Sequence, residues 1–160
     1  MDRFLRIYMN DQLALGVAWR EVARRAQRNN DGTELGDALA RVSAAIAEDV
    51  GTFSEIMRRL GMRPNRIKTA LAIGAERLAR AKLNGRLREH SPLSRFVELD
   101  FLAMGIDGKK LLWSNLRDLA DLGARLPDVD FERMIERAEW QRAELEPFRT
   151  RAAEGVLKGA

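Results

Sequence analysis

The chain contains no cysteine. Disulfides, thiolate-held zinc and cysteine nucleophiles are therefore excluded, and the composition fits a reducing compartment. Histidine is almost as scarce: His90, inside "EHSP", is the single example. A lone loop histidine reads as a solvent-exposed residue, because nothing nearby supplies the oxyanion donors or third group that Ser–His catalysis needs. No apolar run approaches the roughly 20 residues of a membrane-spanning helix. Period-two alternation and a Gly-rich phosphate loop are also missing. The stretch "MDRFLRIYMNDQLALG" carries acids and no signal-peptide core, so a cytoplasmic location is expected.

What is present is helical patterning. At 160 residues, with 46% hydrophobic and 32% charged side chains, the chain has the balance of one folded domain with a real core. Turn residues fall in few places. Asn29-Asn30-Asp31-Gly32 precedes Thr33, a candidate cap. Gly61 and Pro64 follow a second helix, Ser91-Pro92 opens a third, and Gly123, Pro127 and Asp128 or Asp130 separate the last two. This spacing predicts long helices over about 2–29, 34–60, 93–124 and 130–153, with a further helical stretch near 65–87.

Each long helix has its own pattern. In the first, Phe4, Tyr8, Leu15, Trp19, Val22 and Ala26 share a face. In the second, Leu35, Leu39, Val42, Ile46, Phe53, Ile56 and Leu60 draw one stripe, and its middle step lands on Asp49. The third is apolar nearly all round at "FVELDFLAMGI", which predicts that its first half is the most buried helix. In the last, Phe131, Met134, Ala138, Leu145, Phe148 and Ala152 align, with Gln141 or Arg142 interrupting. Trp19, Trp113 and Trp140 read as core or boundary anchors. Short links make antiparallel pairs of helices one and two and of three and four. The roughly 30-residue middle segment then returns the chain across the bundle.

The net charge of +4 is unevenly spread. Between Arg58 and Arg95 eleven Lys or Arg stand against Glu76 and Glu89, a net of +9 that leaves −5 for the rest. Arg63, Arg66, Lys68, Arg77, Arg80, Lys82, Arg86 and Arg88 make this crossover the candidate nucleic-acid or anionic-surface binder. No aromatic is interleaved for base stacking and no helix-turn-helix is evident. The stripe Ile67, Leu71, Leu78 and Leu83 predicts instead that the segment packs on the bundle with its cations solvated.

Two stretches, "AAIAEDVGTFSEIMRRLG" and "KLNGRLREHSPLSRFVELDFLAMGIDGKKLLW", resemble the second helix, and the crossover and third helix, of the ferritin-like superfamily. The likeness is closest to small actinobacterial helical proteins of that type. It implies an all-α, antiparallel four-helix bundle with one long helical crossover. Metal-binding members take a Glu from two helices and a Glu-x-x-His from each of the others. Here Asp49 to Thr52 and Glu136 to Glu139 lack the histidine.

Asp49 has candidate company in Asp11, Asp100, Asp107 and Arg142. Three readings follow. Asp11, Asp49, Asp100 and Glu136, with Glu139 as a further candidate, hold iron or manganese through oxygen alone. Alternatively, Arg142 replaces the metal in a structural salt-bridge network. In the third reading Asp49 lies at the stripe's edge and reaches water. The leading expectation is a non-enzymatic interaction or structural protein with a degenerate metal site. A metal-storage or redox protein is the alternative, and anionic-surface binding a second. Gly105 and Gly108 also admit close approach of another helix and hence a homodimer contact.

Overall fold

In the computed structural model the described residues are 3–65, 70, 74 and 91–158. Every regular element among them is helical: α1 (Arg3–Asn29), α2 (Glu34–Arg59), α3 (Pro92–Ser114), a π-helical turn (Asn115–Leu119), α4 (Leu122–Arg125) and α5 (Phe131–Leu157). None is long and apolar enough to cross a membrane. The chain divides into two compact units, Met1–Ser94 and Arg95–Ala160. His90 and the cationic crossover, apart from Arg63, lie outside the described residues.

The first unit is built on the packed pair α1 and α2. Four residues reverse the chain, and three of them have a local reason. Gly32 takes φ +74°, a conformation that costs glycine nothing. The Asn30 amide donates to the Ala26 carbonyl at 2.8 Å, and the Asn30 carbonyl accepts the Thr33 hydroxyl at 2.6 Å. Thr33 Oγ1 in turn accepts the Gly36 N–H at 3.0 Å, which caps α2. Gly36 is required for space: a Cβ there would stand 2.1 Å from the Asn30 carbonyl oxygen. At its far end α2 closes in a Schellman motif. The Gly61 N–H reaches Arg58 O at 3.0 Å and the Met62 N–H reaches Met57 O at 2.9 Å, with Gly61 at φ +68°. Asn10 then secures the exit: its amide donates to Arg6 O at 2.9 Å and its oxygen accepts the Asn65 N–H at 2.6 Å.

All seven apolar members of the α2 stripe are buried, each of the larger ones contributing about 1.5–3 kcal/mol of transfer free energy. Asp49 is buried with them at 2% exposure, so the reading in which it reaches water is corrected. On α1 the buried set is Met9, Asn10, Leu13, Ala14, Val17, Val22, Ala23 and Ala26. Phe4 and Leu15 face solvent. The expected face was therefore drawn about half a turn away over the first half of the helix.

In the second unit α3 pairs with α5. Pro92 occupies the first helical position and Ser91 Oγ accepts the Ser94 N–H at 3.1 Å. Leu99, Leu102, Ala103, Ile106, Leu112 and Trp113 are buried, whereas Val97, Phe101, Met104 and Leu111 are exposed. The first half of α3 is thus two-faced, not enclosed on all sides. Nor does one helix run to residue 124. The Ala120 N–H reaches back five residues to Asn115 O at 2.9 Å, and Asp121 then turns left-handed at φ 55°. That reversal separates the short α4, and Asp130 caps α5 by accepting the Arg133 N–H at 2.9 Å. Phe131, Met134, Ile135, Ala138, Gln141 and Leu145 form the buried edge of α5. Trp113 meets Phe131 with ring centroids 6.4 Å apart.

Candidate functional site

The densest polar construction among the described residues is an ion-pair ladder between α3 and α5. Arg149 Nη1 donates to Asp100 Oδ1 at 3.0 Å and Arg142 Nε to Asp107 Oδ2 at 3.4 Å. Lys110 Nζ meets Glu139 at 2.5 Å, and Arg117, in the π-helical turn, meets Glu132. From Asp100 the rungs advance by seven, three and seven residues, and from Arg149 they retreat by the same steps. Within the ladder Lys109 donates to the fully buried Gln141. In chain order the ladder residues of α3 and its π-helical extension read acid, acid, base, base, and those of α5 read the same way. Antiparallel pairing sets unlike charges together, and parallel pairing would set like against like. The rungs are solvent-exposed to varying degrees and each is worth about 0–1 kcal/mol. Their main effect is on orientation.

Glu146 is the hub. It accepts Arg149 Nε and Nη2 at 2.9 and 2.8 Å, Arg142 Nη1, and Thr150 Oγ1 at 3.2 Å. These donors, Arg149 first and Arg142 next, hold its carboxyl down to about 2, and the Arg149 guanidinium is shifted up in return. Glu139 likewise raises the Lys110 ammonium. Glu146, Asp107, Lys110, Glu139, Arg142 and Ala143 line an open groove of about 450 Å³. Both the Glu146 carboxyl and the Lys110 ammonium are thus held in their charged forms near neutral pH.

The sequence candidates fall as follows. Asp11 lies on the exposed side of α1, and Asp49 is buried in α2. Asp100 binds Arg149, Glu139 binds Lys110, and Glu136 is exposed on α5. Among the described residues no three or more His, Cys, Asp or Glu gather as a metal centre needs. Asp100 and Glu139 each carry an ion pair to a cation of the same helical pair. Of the two residues expected to interrupt the α5 seam, Gln141 takes the buried position and Arg142 the partly exposed one. Glu146 and Arg149 escaped the sequence reading, although the Arg142-Glu146-Arg149 spacing of four and three is a helix-face charge signal.

No protein-family model, curated protein or solved structure matches the chain.

Proposed function

We propose that this protein is a non-enzymatic helical scaffold with an interaction or structural role. In this reading its two helical pairs form a ferritin-like four-helix bundle whose acidic positions no longer serve a metal. The observation that carries it is the employment of the acids. Asp100, Asp107, Glu139 and Glu146 are each engaged by Arg or Lys of the same helical pair. Such pairs favour the antiparallel pairing of the two helices and occupy these four carboxylates with internal partners. The all-helical architecture and the long amphipathic α1 and α2 support the bundle.

Elemental analysis of protein purified without added metal tests the proposal, together with thermal unfolding in Fe²⁺ or Mn²⁺. Absence of stoichiometric metal and an unchanged melting temperature are expected. One or two transition-metal ions per chain, or a stabilisation that grows with metal concentration, would overturn it.

A further inference from the structure

α3 and α5 carry the same plan. Lys109 donates to Gln141, 32 positions further along the chain, and the other paired features recur at that same offset. Buried Leu99, Ile106 and Trp113 return as buried Phe131, Ala138 and Leu145, and Leu102 and Ala103 return as Met134 and Ile135. The ladder repeats with them. Asp100, Asp107, Lys110 and Arg117 return as Glu132, Glu139, Arg142 and Arg149. An antiparallel pair of like-patterned helices has approximate two-fold symmetry, which is the arrangement two copies of one helix would make.

The charge code therefore does not separate the chain's own helix from that of another copy. Set antiparallel, two α3 helices would match Asp100 with Arg117 and Asp107 with Lys110, and two α5 helices would match in the same way. An all-acidic α3 against an all-basic α5 would hold the same hairpin and repel such encounters. The ladder carries no such repulsion. The link between the helices is also short and strained. Asp121 stands at φ 55°, a left-handed conformation that a residue with a Cβ adopts only at a cost. Behind it α4 is packed so closely that a Cβ at Gly123 would lie 3.2 Å from the Arg117 carbonyl oxygen. Short links under strain invite exchange of the element beyond them.

We propose that α5 exchanges between two copies of this chain. The link opens at Asp121, and α5 of each copy takes its place on α3 of the other. The dimer keeps all four rungs, now between chains, and the buried positions that accompany them. Closed chain and dimer then differ in the strain of the two links and in the entropy of joining two chains, so concentration sets the balance. The exchange draws only on the α3–α5 pairing. It goes beyond the scaffold reading and leaves the metal test of that reading untouched.

Refolding the full chain from urea at about 1 and about 300 μM, followed by light scattering, tests the exchange. The mass should be that of one 18.1 kDa chain at the lower concentration and approach twice that value at the higher. Two charge variants then show which helices meet. Lys110→Glu with Arg117→Glu makes the α3 side of the ladder wholly acidic, and Glu132→Lys with Glu139→Lys makes the α5 side wholly basic. Either variant alone has two like-charged rungs, closed or exchanged. In a mixed exchanged dimer every rung joins unlike charges. Native mass spectrometry of the co-refolded variants should therefore show the mixed dimer in at least ~10-fold excess over the two like dimers. Asp121→Gly should keep the helical circular dichroism and lower the dimer yield about tenfold, because glycine holds the left-handed turn freely in both links. A single-chain mass at every concentration overturns the inference. So does a dimer whose charge variants mix in statistical proportion, or one whose yield Asp121→Gly leaves unchanged. Should the charge variants fail to fold even when mixed, the Asp121→Gly comparison decides alone.

Discussion

Replacing Glu146 with Gln tests whether the α3–α5 ladder is held by charge or by shape. Glu146 takes four hydrogen bonds from Arg149, Arg142 and Thr150. The amide removes the negative charge and turns one acceptor into a donor facing a guanidinium. A carboxyl at about 2 in place of 4.5 would correspond to about 3 kcal/mol at full coupling. The side chain is 40% exposed, and solvent screening reduces the expected contribution to about 1 kcal/mol. For a chain of this size that is a fall of about 2–4 °C in melting temperature.

The pH dependence gives the sharper test. The folded-state carboxyl titrates below its unfolded value, so protons bind the unfolded chain more readily. The contribution of Glu146 is then complete above about pH 4.5 and is lost as the pH falls towards 2. Gln does not titrate there. Urea denaturation at pH 7, 4.5 and 3 should show the gap between wild type and Glu146→Gln closing on acidification. A gap below about 0.3 kcal/mol at pH 7 would refute the account. A gap constant with pH would assign the loss to geometry.

Two further substitutions probe the rest of the molecule. Gly36→Ala should destabilise the first unit by about 2 kcal/mol or more, since its Cβ meets the Asn30 backbone at 2.1 Å; chemical denaturation checks this. Arg142→Leu should cost about 0.5–1 kcal/mol by the same assay, because the arginine is partly exposed and bonded to Glu146 and Asp107. A loss above about 3 kcal/mol would mean that it neutralises a fully buried acid.

α2 was legible in the sequence almost residue by residue. Its stripe is built from large side chains at strict three-four steps, and Thr33 and Gly61 bound it with signals that have a local mechanism. The same stripe contained Asp49, and its burial follows from the geometry that buries Ile46 and Phe53. α1 misled because its seam is made partly of small residues. Ala14 and Ala23 are buried while Phe4 is not, and the larger side chains drew the expected face towards themselves. In α3 the error was of another kind. Half-exposed Phe101 and buried Leu102 are both large and apolar, so the sequence pattern does not tell them apart. The break after Ser114 was hidden because no Pro or Gly marks it; a widened turn and one left-handed aspartate suffice. In the candidate site, Asp100, Asp107 and Arg142 were found through their seam spacing, and Glu139 through its three-residue distance from Glu136. Glu146 and Arg149 lay off the apolar stripe, where charge spacing was the only guide.

The widened turn between Asn115 and Leu119 also bears on how this chain tolerates changes of length. A π-helical turn holds one residue more than the α-helical turn it replaces. Removing a single amino acid there would let the hydrogen bonding become regular, yet everything beyond would swing by about 100° and draw in by about 1.5 Å. Arg117 would lose its alignment with Glu132, and the approach to α5 would point elsewhere. The locally favourable deletion would be globally harmful, so the surplus residue acts as a spacer that the second unit cannot do without.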